Sequence, residues 1–197
     1  MCQLVIVAML LLFAGEAAAQ DQAPRQDARG RSHFGAPVFK YTVVRDQGAV
    51  MFGGRGGLNL TPSLLLGAGA YGTMGEVNAR EGAVPGAPGP LDVKFESFGF
   101  DLECAAHPAA PTHLTLTAFM GGAAARYAKD KTDEQWGESD FMLLFEPALG
   151  VEQRVTDWLH LNLALSYRLV SGVEQPGLTE GDLRGAAAAL AVKLGRF

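Results

Sequence analysis

The chain has few residues that could crosslink it and few that carry charge. Cys2 and Cys104 are its only cysteines among 197 residues. Removal of the N-terminal segment would leave one thiol, so no intrachain disulfide could form and stability must come from backbone pairing and packing. Charged residues make up 19% of the chain, with only five lysines, and the formal net charge is -5. That balance offers no basic patch for a nucleic acid. Past the first twenty residues there is no run of about 18 apolar residues, which argues against a membrane-spanning helix. The 25 glycines and 10 prolines follow no three-residue period and punctuate strands instead. What the chain does have is hydrophobic residues, 48% of the total, enough for one domain with its own interior.

Leu4 to Gly15 is an apolar core of secretory length, followed by Ala17-Ala18-Ala19, a small-residue cleavage site before Gln20. Residues 1–19 are therefore expected to be a signal peptide, although Met1-Cys2-Gln3 carries no Lys or Arg. Cys2 precedes the apolar core and is not placed as a lipid-acceptor cysteine. Residues 20–35 are mostly polar without apolar periodicity and read as a flexible leader.

The strongest pattern runs from Asp140 to Val170. Phe141, Leu143, Phe145, Pro147, Leu149 and Val151 alternate with Glu146, Gly150, Glu152 and Arg154. After a turn at Thr156-Asp157, Leu159, Leu161, Leu163, Leu165, Tyr167 and Leu169 share one face, and His160, Asn162, Ser166 and Arg168 share the other. A period of two marks β-strands, whose successive side chains point to opposite sides. Weaker alternation recurs over Val38–Val44, Ala49–Thr61, Leu64–Val77, Leu91–Ala106, His113–Tyr127 and Leu183–Phe197, where Ala186–Ala191 is equally compatible with a helix by propensity. Asp92–Glu96 runs out of phase with Phe98–Cys104, which predicts a bulge or emergence into water, and Pro147 in mid-strand predicts a bulge.

The total is about eight strands, an even number, with connections alternating short and long as in transmembrane barrels. The short ones fall at Thr61-Pro62-Ser63, His107–Thr112 and Thr156-Asp157; the long ones are Ala79–Pro90, Lys129–Ser139 and Gly172–Asp182. If the apolar face meets lipid, the sheet must close, because an open edge would leave amides unpaired in hydrocarbon. Residues 36–197 are thus expected to form a closed antiparallel up-and-down transmembrane β-barrel, an all-β fold.

On these carriers, the secretory leader, eight alternating segments, short-long connections and terminal aromatic, the chain resembles the small bacterial outer-membrane barrels that include the OmpA transmembrane domain and OmpX. The resemblance implies location in a bacterial outer membrane, with outer-membrane lipid as surroundings. It also implies that Phe197 serves as the membrane-insertion signal read by the barrel-assembly machinery through the last strand. Gly195 and Lys193 depart from the family pattern on the Phe197 face. Trp158, after a short turn, suits a membrane boundary.

Other motifs have less specific readings. Gly67-Ala-Gly-Ala-Tyr-Gly72 matches a dinucleotide fingerprint in letters but is followed by glycines and prolines where a helix should open. Gly53-Gly-Arg-Gly-Gly57 fits an interior arginine flanked by small residues better than a phosphate cradle. Cys104, His107 and His113 lie on a strand and turn that do not bring a tetrahedral metal set together, and the histidines are expected on a surface turn. No cofactor or metal is expected. His160 and Ser166 lack the close spacing of the lipid-modifying outer-membrane enzymes, so no catalytic residues are assigned.

The informative constellation is the set of charges on the polar strand faces: Lys40, Arg55, Arg168 and Lys193 against Asp101, Glu103, Glu146 and Glu152. The interior of an eight-stranded barrel is just wide enough to be filled by side chains. Enclosed charges must then pair, because desolvating a lone ion costs several kcal/mol. The expectation is an interior ion-pair network that plugs the lumen of a structural or surface-interaction protein. Two rivals stay open: a soluble secreted lipocalin-like carrier with the alternation turned inside out, and a lipid-modifying enzyme. The ligand or partner of the outer loops is left unidentified by the sequence.

Overall fold

Alternation of side chains sorts a strand into a face that is covered and a face that is not, and in the computed structural model β1 and β7 keep that alternation nearly throughout while β4 and β5 lose it toward the loop end. The structure describes residues 32–80, 82–84, 91–129 and 135–197. The expected signal peptide and most of the leader lie outside them. Eight strands follow in order: β1 (His33–Val44), β2 (Gln47–Thr61), β3 (Leu64–Met74), β4 (Leu91–Ala106), β5 (Thr112–Lys129), β6 (Gln135–Arg154), β7 (Leu159–Ser171) and β8 (Gly185–Gly195). Among the described residues there is one short helix, α1 (Glu180–Leu183), between β7 and β8. Each strand pairs antiparallel with its chain neighbours, and β8 returns to β1 to close the barrel. β1 starts at His33, ahead of the expected boundary at residue 36.

Connections at one end are short, at 62–63, 107–111 and 155–158; this is the turn end, where the chain also finishes. At the opposite, loop end lie residues 75–80, 82–84 and 172–184, the end of β5 and the start of β6, with a tight Arg45-Asp46 turn between β1 and β2 whose residues both have positive φ. β5 and β6 are the longest strands, at 18 and 20 residues, and rise furthest at the loop end.

Ala186–Ala191 is strand, resolving the helix-or-strand ambiguity, and pairs continuously with β7 from Leu159↔Leu194 to Arg168↔Gly185. Neither expected bulge occurs. β4 pairs β5 without a break from Leu91 to Ala106, so Val93 and Phe95 point inward with Ser97 and Asp101. The alternation kept its phase while the interior changed from polar to apolar. At Pro147 the β6–β7 ladder skips Glu146 and Pro147 but resumes in the same register, Phe145↔Leu169 then Ala148↔Ser166. The proline's missing N–H interrupts pairing without shifting it. Register shifts fall elsewhere, between Asn59 and Thr61 and between Ala125 and Tyr127.

Outside, the barrel is apolar: Leu143 is 73% exposed, Phe100 69% and Leu165 68%. Inside there are two zones. Val44, Met51, Val93, Phe95, Tyr127 and Val170 fill the loop-end half, and Val77, Leu178 and Leu183 from the loops close over them. Ionised and hydrogen-bonding residues fill the middle and the turn-end half.

One close approach shapes the wall. Gly99 and Gly121 face each other across β4 and β5. A Cβ on Gly99 would overlap the Met120 carbonyl oxygen and lie 2.8 Å from Gly121 Cα, so this crossing has room only for hydrogen.

Candidate functional site: a buried polar interior

Each charged residue of the interior comes from an inward position of its strand, and no sequence-adjacent pair makes the contacts. On the β1–β6 side, Lys40 Nζ donates to Glu146 Oε1 at 2.8 Å, and Ser166 Oγ donates to the same oxygen at 2.6 Å. Lys40 also lies 4.4 Å from the centroid of the Tyr71 ring, a cation–π contact strengthened by desolvation. On the β2–β4 side, the Arg55 guanidinium donates to Glu103 Oε2 at 2.5 Å and places Nε 3.3 Å from Asp101 Oδ2. Lys193 Nζ on β8 joins Glu103 Oε1, at 2.6 Å, to Glu152 Oε2.

Glu152 is the convergence point at the turn end. Besides Lys193 it accepts from His160 Nδ1 at 2.8 Å and from Asn162 Nδ2 at 3.4 Å, and His113 Nε2 lies 3.8 Å away. The Phe197 ring stacks on His160, centroids 3.7 Å apart and 14° between planes, and approaches Phe34 at 6.3 Å. Phe34 in turn faces Arg55 and Lys193 at 5.5 Å each. The chain's last residue thus folds over the turn-end mouth.

Of the eight charges on the polar faces, seven meet an opposite charge. Arg168 does not: its guanidinium donates to the Leu183 and Val43 carbonyls, at 2.6 and 2.9 Å, and sits 4.8 Å from the Phe95 ring centroid. It lies at the border with the apolar zone, where carbonyls at strand and loop ends are the acceptors within reach. His113 corrects the expectation of a surface turn, because β5 begins at Thr112 and turns this imidazole inward; His107 alone is exposed in the turn. His113, His160, Asn162, Thr115 and Thr117 were missed as members of the cluster. Their period-two spacing with Glu152 and Arg168 was the available signal.

The other motifs disperse. Gly67–Gly72 lies within β3, with no helix between it and β4 among the described residues, and Gly67 leaves the space that the Asp101 carboxylate fills. Cys104 is half-buried on the outward phase, away from inward His113. No group of three or more His, Cys, Asp or Glu suited to a metal ion occurs among the described residues. Ser166 and His160 engage different carboxylates, Glu146 and Glu152, rather than each other. Trp158 is exposed at the turn end; Trp136 belongs to β6, in a region whose side chains lie outside the description.

Between the two sets of ion pairs lies a cavity of about 50 Å³, lined by the polar Lys40, Arg55, Asp101, Glu146, Asn162 and Ser166 and by Ala148, Ala164, Ala189 and Ala191. At the loop end, Thr179 caps α1 reciprocally with Asp182, whose carboxylate also receives Arg80 at 3.0 Å. Partial burial pushes the Asp182 carboxyl up, but hydrogen bonds from Thr179 and the nearby Arg80 and Arg45 outweigh it and hold it below the usual range.

A closed eight-stranded up-and-down barrel that is apolar outside and ionic within is the architecture of the small outer-membrane β-barrels. Among solved structures the chain is similar to Neisserial surface protein A, NspA, at 16% identity and a TM-score of 0.57, covering 86% of this chain and 99% of that one. It is also similar to the N-terminal β-barrel domain of Pseudomonas aeruginosa OprF, at 16% identity and a TM-score of 0.53, covering 83% and 96%. No family model matches the chain, and no curated protein matches it by sequence.

Proposed function

We propose that this chain is an integral barrel of a bacterial outer membrane, with a structural or surface-interaction role, no catalytic activity and a lumen sealed by its own side chains. The observation that carries the reading is the inversion of the fold's polarity: Leu143, Leu165 and Phe100 point out while Lys193, Asp101 and Glu103 are at most 4% exposed. In water, such a continuous apolar surface would far exceed what soluble monomers expose. In lipid it is the favourable arrangement, and closure leaves no sheet edge unpaired. A soluble carrier requires the reverse, with leucines converging on a central ligand.

The two-zone filling, ion pairs across the middle and an apolar cap at the loop end, supports a sealed lumen. The absence of a Ser166–His160 contact supports the non-enzymatic reading. Phe197 and the final strand are proposed to engage the barrel-assembly machinery, and outer-membrane lipid is the proposed surroundings. At about 3.3 Å per residue, β6 is longer than the 9–11 residues needed to cross a bilayer, so the β5–β6 hairpin would project outward as an interaction surface.

Fractionation and gel migration test this directly. The protein should require detergent for extraction and migrate differently before and after boiling; recovery in a soluble fraction without detergent would overturn the reading. In planar bilayers a sealed lumen gives no large, stable conductance.

A further inference from the structure

We infer that the mid-barrel cavity is a hydration site, holding a small cluster of ordered water molecules that solvates Asp101. Asp101 is 2% exposed, yet neither of its carboxylate oxygens accepts a hydrogen bond from the protein. Its neighbour Arg55 approaches through Nε at 3.3 Å, outside hydrogen-bonding geometry, and that Nε also donates to no protein group. Meanwhile the Arg55 terminal nitrogen is committed to Glu103. A buried carboxylate left in this state is strongly unfavourable, and buried polar groups of this kind are nearly always satisfied by protein or by water.

The geometry supplies the space. Ala148, Ala164, Ala189 and Ala191 line one wall with the smallest side chains that still cover the backbone, and the cavity they leave measures 50 Å³. At roughly 10–15 Å³ per water on the same measure, that is room for about three to five molecules. Water also fits the chemistry better than a bound cation. Lys40 and Arg55 border the cavity together with Asp101 and Glu146, so its lining is already balanced in charge and a cation would add a positive charge with no counterpart. Arg55 Nε needs an acceptor and Asp101 needs donors, and a water molecule provides both where a cation provides neither. Asn162 and Ser166, which flank Ala164 on β7, supply further polar anchors. The inference holds wherever the barrel resides, because it concerns only the interior.

The test uses the full chain folded in detergent micelles. Water-to-protein cross-relaxation in NMR should show long-lived contacts from water to the Asn162 side-chain amide in the wild-type protein; their absence would overturn the inference. Filling the cavity by Ala191→Val should lower the urea midpoint, since it evicts the solvent of Asp101. In an Asp101→Ala background the same substitution should leave the midpoint unchanged or raise it. A dry cavity predicts the opposite in the wild-type background, a higher midpoint on filling, and that result, or strictly additive effects of the two substitutions, would sink the proposal.

Discussion

The two halves of the barrel interior are built on the same strands, with the same alternation, and yet are held together differently. In the turn-end half the contacts are few, directional and shared: Glu152 alone receives Lys193, His160 and Asn162. In the loop-end half they are apolar and diffuse, with Phe95, Val93, Tyr127 and Leu183 completely buried. The difference teaches that period-two patterning fixes which side chains go inward but not what chemistry the inside will have. Removing one partner from a shared ionic cluster strands the others, whereas trimming an apolar side chain leaves a hole whose neighbours can relax.

The largest effect should come from breaking the ionic half at its bridging cation. Lys193→Met removes the group that joins Glu103 to Glu152, and is expected to destabilise the barrel by about 3–5 kcal/mol, the usual penalty for an uncompensated buried charge. Urea unfolding in detergent, followed by loss of heat-modifiable migration, measures it. An effect no larger than that of a surface substitution would erase the distinction between the halves.

Leu183→Ala probes the apolar half where a loop closes over it. The expected loss is about 2–5 kcal/mol, the range for truncating a buried leucine, and it should be local. Limited proteolysis within 172–184 should accelerate while the strands stay protected. Global unfolding instead would show that the cap and the barrel form one cooperative unit.

The wall between the zones is probed by Gly99→Ala, whose added carbon would overlap the Met120 carbonyl. Crowding of this kind costs about 1–3 kcal/mol, read as a lower urea midpoint.

The smallest effect concerns the loop-end helix. Because the Asp182 carboxyl titrates below its ordinary range, its contribution to holding α1 is present above the unfolded aspartate pKa and is lost as pH falls through the lower, folded value. Asp182→Asn should abolish that acid dependence at neutral-pH cost of under ~1 kcal/mol, observed as amide exchange of Leu183 and Arg184 across acidic pH.

The sequence made the architecture legible because the barrel has one rule for inside and outside. Leu159 to Leu169 declared the outward face without ambiguity, and the eight charges declared the inward one. Less legible was anything that depended on how far round the barrel two residues come to lie. Val93 and Phe95 looked out of phase because an apolar residue was assumed to face outward, and only the loop-end cap shows why they do not. His113 looked like a turn residue because the start of β5 could not be read to within a residue. Arg168 carried the same charge as Lys40 and Arg55, but its height in the barrel puts backbone carbonyls, not a carboxylate, beside it. Phe197 falls beyond β8, so periodicity said nothing of its stacking on His160.

The partners in the interior come from distant parts of the chain: Lys40 and Glu146 are 106 residues apart, Lys193 and Glu103 90. No hairpin taken alone brings either couple together, and Lys193 lies on the final strand. Until β8 docks, Glu103 and Glu152 lack their common cation and Lys40 lacks the curvature that delivers it to Glu146. The growing sheet can pair Arg55 with Asp101 and Glu103 early, but it carries Lys40 bare, and Glu146 and Glu152 without their lysines, until the step that turns an open ribbon into a ring.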